Sequence, residues 1–121
     1  MNILVVDDEE SICAAIKVVL KSAGHAVDVV HDGEEGLARL RELPNHYHIV
    51  ITDHSMKKVS GLEFMVQLPV NTFKGKIIVL SAYLTPELKN KYRVLGADRI
   101  MEKPFDVVEL RKYVAELAPH G

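Results

Sequence analysis

The sequence predicts an α/β domain: five parallel strands in one doubly wound sheet, with helices on both faces. Three observations predict it. Short apolar runs alternate with amphipathic helical stretches five times along the chain, the pattern that gives a parallel sheet with right-handed crossovers. The runs Ile3-Leu4-Val5-Val6, Val50-Ile51 and Ile77-Ile78-Val79-Leu80 are almost continuously apolar, as strands buried on both faces are. Those runs end in Asp7-Asp8, in Thr52-Asp53 and in Ser81. The carboxyl ends of strands in an open parallel sheet are where ligands bind.

Each element has its own local warrant. Residues 2–6 make the first strand. Glu9-Glu10-Ser11 open a helix whose stripe Ile12, Ile16, Val19, Leu20, Ala23 follows a 3.6-residue period, and Gly24 ends it. Residues 26–30 form a second strand with partial alternation, which suits a sheet edge. Asp32 with Glu35 has capping-box spacing and starts a second helix. Its predicted buried stripe is Leu37, Leu40 and Leu43, with Pro44 as the stop. The third strand covers about 48–52.

After the loop from His54 to Ser60, Ser60 and Glu63 repeat the capping spacing and introduce a short helix with Leu62 and Met65 inward, cut by Pro69. The fourth strand is 77–80. Thr85-Pro86-Glu87 is a strong helix start, and that helix runs through Leu88, Tyr92 and Leu95 to Gly96. A brief strand near 99–102 follows. Asp106 with Glu109 caps the last helix, whose inner face is Val107, Leu110, Val114 and Leu117.

Composition narrows the function classes. With 121 residues, 48% of them hydrophobic and 26% charged, the chain is expected to form one soluble globular domain. Lys plus Arg is 15 against 17 for Asp plus Glu, a net charge of -2, which gives no electrostatic case for direct nucleic-acid binding. The lone Cys13 excludes an internal disulfide and reads as a small buried hydrophobe on the first helix. No signal peptide or membrane span is evident, so the expected compartment is the cytoplasm.

The candidate site gathers Asp7, Asp8, Asp53, Ser81 and Lys103, five polar groups at the carboxyl ends of four strands. Singly, each reads as a cap, a loop residue or a surface charge; together they converge on one rim. Three carboxylates and one ammonium leave a net -2, so the cluster is repulsive unless a cation joins it. An all-oxygen donor set suits Mg²⁺, or Mn²⁺, rather than zinc.

At this point the motifs carry a family resemblance. Val5-Val6-Asp7-Asp8-Glu9, Ile51-Thr52-Asp53, Met56 and Gly61, Leu80-Ser81-Ala82, Gly96-Ala97-Asp98 and Lys103-Pro104-Phe105 occur in this order. The chain resembles the receiver domain of two-component response regulators, a flavodoxin-like module, over essentially residues 2–118. The resemblance implies strand order 2-1-3-4-5 in a single receiver domain spanning 1–121, with no output domain in this chain. It implies Asp53 as phospho-acceptor, with Asp8, Asp53 and the backbone carbonyl of Ser55 binding Mg²⁺ directly and Asp7 acting through a water. Lys103 would hold a phosphoryl oxygen, oriented by a cis bond to Pro104. The donor would be a phosphohistidine on a sensor histidine kinase or phosphotransfer protein. A downstream protein would meet the face made by the fourth helix, fifth strand and fifth helix. The protein would be a monomer or a phosphorylation-dependent dimer.

Departures from the family pattern are local. Three residues before Lys103, where an aromatic switch residue is usual, stands Ile100, which has no ring to swing and no hydroxyl. Lys57 takes the place of a proline, and with Lys58 reads as solvated surface charge at the pocket rim. Tyr83 should flank the pocket mouth and restrict the water that attacks the phosphorylated state. His46 and His48, two apart, read as ordinary surface histidines rather than a metal site. His54 points away from Asp53 if the strand persists, and His25, His31 and His120 read as loop or terminal residues.

Rival readings are weaker. A Mg²⁺-dependent small-molecule phosphatase with an Asp nucleophile needs a second Asp where Ser55 stands. A flavin module needs a phosphate-cradling loop where acids follow the first strand. A phosphorylation-independent docking receiver has no need of the full acid, Ser and Lys set.

Overall fold

The computed structural model describes residues 1–68 and 73–118. Pro69 and His120, named above, lie outside the described residues. The chain alternates strand and helix: β1 (Asn2–Val6), α1 (Glu10–Ser22), β2 (Ala26–Val30), α2 (Gly33–Glu42), β3 (Ile49–Asp53), α3 (Gly61–Val66), β4 (Lys76–Ser81), α4 (Pro86–Val94), β5 (Arg99–Glu102) and α5 (Val107–Glu116). All strand pairs are parallel, in the order β2-β1-β3-β4-β5. The partly alternating second strand is an edge, as its pattern predicts, and no described helix is long and apolar enough to cross a membrane.

The continuous apolar runs are explained by two cores, one on each face of the sheet. Ile3, Val5, Ile49, Ile51, Ile78 and Leu80 pack with Ile16 and Leu20 of α1 and with Leu110 and Val114 of α5. Leu4, Val6, Val50, Ile77 and Val79 pack with Leu37 and Leu40 of α2, Phe64 and Met65 of α3 and Tyr92 of α4. Successive residues of a strand point to opposite faces, so a strand covered on both sides must be apolar at every position.

Local signals set most boundaries. Asp32, Ser60 and Thr85 each accept a backbone N–H three residues on, at 2.8, 3.2 and 3.1 Å, which satisfies an otherwise orphaned donor at each helix start. Gly24 and Gly96 close α1 and α4 at φ +93° and +100°, where a side chain would be strained.

Two expectations need correction. Leu43 is not part of a buried stripe: α2 ends at Glu42, and Leu43, non-helical before Pro44, is 42% exposed. Asp106 caps α5 through the N–H of Val108 at 2.8 Å, while Glu109 accepts instead from the Tyr113 hydroxyl. On α3 Met65 is buried and half-buried Leu62 packs against the same core, as expected, with Phe64 buried beside them.

Candidate functional site

The sheet register fixes where the acids meet. Val6 pairs with Thr52, and Asp53 pairs with Leu80. Asp7, one residue past β1, therefore comes level with Asp53 at the end of β3, and Ser81 stands one step further on β4. Lys103 follows directly on β5, its N–H donating to the Ser81 carbonyl at 2.7 Å. Convergence of the predicted residues on one rim follows from this register.

Asp7, Asp53 and Ser81 are buried, and Asp8 is half-buried. Lys103, with only 11% of its side chain exposed, reaches across the rim. Its Nζ lies 3.1 Å from Asp53, 3.4 Å from Asp7 and 3.4 Å from Glu9. Burial opposes its charge, but the carboxylates of Asp53, Asp7 and Glu9 outweigh that and hold its pKa above the ordinary lysine value. The Lys103-Pro104 peptide bond is cis, as expected.

The carboxylates are under electrostatic stress. Burial, and then the Asp7 charge, push Asp53 from an ordinary 3.8 up to about 6, against the pull of Lys103. Burial also raises Asp7, although the Glu9 N–H donates to its Oδ1 at 2.9 Å. One ammonium does not neutralise this cluster. Among the described residues, Asp7, Asp8 and Asp53 form a group in which one carboxylate oxygen from each lies within 4.8 Å of the others. Two oxygens on one Mg²⁺ sit at most about 4.2 Å apart. A hard divalent cation therefore fits these three acids with slight closure, or with a water between it and Asp7. Its charge would offset the burial that raises both acids and the Asp7 charge that further raises Asp53.

The remaining predicted residues take definite places. Ser81 Oγ donates to the Tyr83 carbonyl at 2.9 Å and accepts the Tyr83 N–H at 3.3 Å, so its hydroxyl is engaged with the loop after β4. Tyr83 is 84% exposed and, with Glu9, Ile12, Lys103, Pro104 and Phe105, lines a cleft of 580 Å³ beside the acids. Ser55 and Lys57 are exposed on the loop after β3, and the Lys57 N–H donates to Asp8 Oδ2 at 3.3 Å. Lys58 is less free than expected: at φ +69° it reaches Asp32 and Glu34 of the second helix start, both at 3.8 Å. Ile100 is half-buried on β5 and packs against the core that holds Tyr92.

Among the described residues no histidine side chain joins the acid cluster, although His31 Nδ1 lies 3.3 Å from the backbone carbonyl oxygen of Asp7. His48 Nδ1 accepts the Asn2 N–H, and the His46 ring meets Tyr47 edge-on. Cys13 is buried, its thiol pushed up to about 11 by burial and then by Asp7, which makes it an inert core residue.

Two participants were missed by sequence reasoning. Glu9 is a third carboxylate on Lys103; a run of four acids, Asp7 to Glu10, directly after the first strand was its only signal. Tyr92 was read as one more position of the fourth helix. It is fully buried, and its hydroxyl hydrogen-bonds to Nδ1 of His54, the residue after Asp53.

Comparison with known proteins agrees with this geometry. The model described as "Response regulator receiver domain" matches residues 3–115. Transcriptional regulatory protein DltR of Streptococcus agalactiae is 36% identical over 110 residues, covering 91% of this chain and 48% of that protein. Response regulator RR06 of Streptococcus pneumoniae is 35% identical over 117 residues, 97% of this chain and 52% of that protein. The chain thus spans about half the length of these curated relatives. Among solved structures, the receiver domain of Francisella response regulator 1452 matches with a TM-score of 0.86 at 30% identity, covering 96% of this chain and 94% of that one. Vibrio cholerae chemotaxis protein CheY4 matches at 0.87 and 28% identity, covering 97% and 98%.

Proposed function

The chain belongs to the response regulator receiver domain family, and on that premise we propose that Asp53 accepts a phosphoryl group in a Mg²⁺-dependent reaction. The observation that carries the reading is the buried pairing of Lys103 Nζ with Asp53 at 3.1 Å, inside a cluster of acids that one ammonium cannot neutralise. The donor is a phosphohistidine on a sensor histidine kinase or a phosphotransfer protein.

An Asp53 carboxylate oxygen forms the new bond to phosphorus as the donor's phosphorus–nitrogen bond breaks, and the electron pair returns to the imidazole. A carboxylate is a poor nucleophile toward an anionic group, so positioning and charge neutralisation carry most of the catalysis. Asp8, Asp53 and the Ser55 carbonyl would hold Mg²⁺, with Asp7 acting through a water; when bound, the ion neutralises oxygens of the transferring group. Lys103, now shared among three carboxylates, trades one of them for a phosphoryl oxygen. Water later attacks phosphorus and returns free phosphate and the Asp53 carboxylate.

Signalling uses the same residues. The Ser81 hydroxyl turns from the Tyr83 backbone toward the phosphoryl oxygens and releases the loop that leads into α4. A downstream protein, or a second copy of the chain, reads the change on the α4-β5-α5 face.

The test is intact-mass analysis after treatment with acetyl phosphate. One added phosphoryl group is expected on the wild type with Mg²⁺, and none in EDTA or on Asp53→Asn. Addition that persists in Asp53→Asn, or none on the wild type, overturns the reading.

A further inference from the structure

Strand β5 offers no aromatic ring at Ile100, so any coupling between the acceptor and α4 needs another carrier. Tyr92 of α4 has 0% of its surface exposed, although it carries a hydroxyl. A buried hydroxyl without a partner is costly, and the partner here is His54 Nδ1. The two rings meet edge-on, with centroids 5.6 Å apart at 83°.

The His54 backbone is held from both sides. Its N–H donates to the Leu80 carbonyl of β4 at 2.8 Å, and its carbonyl accepts the Gly61 N–H at 2.9 Å, where α3 begins. Gly61 marks how closely these groups approach one another. A Cβ built there meets the Tyr92 hydroxyl at 2.5 Å, the Asp53 carbonyl oxygen at 2.6 Å and His54 Cα at 3.0 Å. The α4 tyrosine and the acceptor's own peptide therefore converge on one point with no spare volume. Displacement of the 53–54 peptide displaces Tyr92, and with it the helix it stands on.

We infer that the Tyr92 hydroxyl and the His54 ring form the link through which the state of Asp53 reaches α4, in place of an aromatic residue on β5. This rests on Asp53 being the acceptor. Tyr92 is a positioning residue: it touches neither the phosphoryl group nor the acid cluster, and acts through His54. The hydrogen bond and the packed contact are the two-state element that both sites bias.

The test follows amide chemical shifts of the ¹⁵N-labelled protein on adding beryllofluoride with Mg²⁺. The wild type should shift both around Asp53 and Ser81 and along α4, from Leu88 to Val94. In Tyr92→Phe, which keeps the ring and deletes the hydroxyl, the acceptor-site shifts should persist while those along α4 fall by roughly half or more. His54→Asn, which keeps a polar atom near the Nδ1 position, should preserve the α4 response, and His54→Leu should lose it. This second pair reads the link with Tyr92 intact, should Tyr92→Phe fail to fold. Undiminished α4 shifts in Tyr92→Phe or in His54→Leu overturn the inference and leave the acceptor reading standing. No acceptor-site shift in the wild type overturns the acceptor reading itself, and this inference with it.

Discussion

Replacing Asp53 with asparagine in the metal-free protein isolates the electrostatic cost of the site. The Asp53 side chain is only 4% exposed, and burial with the Asp7 charge moves it from 3.8 to about 6. That displacement corresponds to about 3 kcal/mol of destabilisation when the group is ionised. Between these two values the folded protein holds a proton that the unfolded chain has released. The native state is thus favoured at low pH, and the advantage is lost as pH rises through about 6. Asparagine has the shape of the protonated acid and never ionises. At pH 7 in EDTA, Asp53→Asn should be more stable than wild type by about 1–3 kcal/mol, the lower end allowing for relaxation around the amide. For a domain of this size that is roughly 4–12 °C in Tm. The assay is thermal or urea unfolding followed by circular dichroism across pH 4 to 8. The gap between the two proteins should narrow as pH falls and close near 4. Mg²⁺ at tenfold its Kd should stabilise the wild type by about 1.4 kcal/mol, and the variant by less. An asparagine variant no more stable than wild type at pH 7, or a gap that widens on acidification, refutes the account of the cluster.

Three further outcomes follow from packing and exposure. Gly61→Ala places a Cβ against the backbone of Asp53 and His54 and against the Tyr92 hydroxyl; it should cost about 1–3 kcal/mol in urea unfolding, and an unchanged midpoint contradicts the close approach. Leu40→Ala should cost about 2–5 kcal/mol, whereas Leu43→Ala, at an exposed position, should stay within about 0.5 kcal/mol, so equal losses would restore Leu43 to the buried stripe. Tyr83→Ala removes an exposed side chain from the cleft beside Lys103. It should leave stability unchanged and shorten the lifetime of ³²P-labelled protein, and an unaltered decay removes Tyr83 from control of the attacking water.

By itself the sequence determined which segments are strands and helices, which strands are covered on both faces, and that the oxygen-bearing side chains stand at strand ends. These are local properties: period 2 or 3.6 in apolar residues, a cap at Asp32, Ser60 or Thr85, a glycine where the chain turns left-handed. The acidic cluster with Ser81 and Lys103 was legible for the same reason, because each member ends or follows its own strand and parallel register carries them to one rim. Only the tertiary structure decided that Lys103 is shared among Asp53, Asp7 and Glu9, that Leu43 faces solvent and that the Tyr92 hydroxyl meets His54. Periodicity tells which face of an element is buried. It is silent on the height and direction at which a neighbouring element crosses, and that crossing selects a side chain's partner across the core.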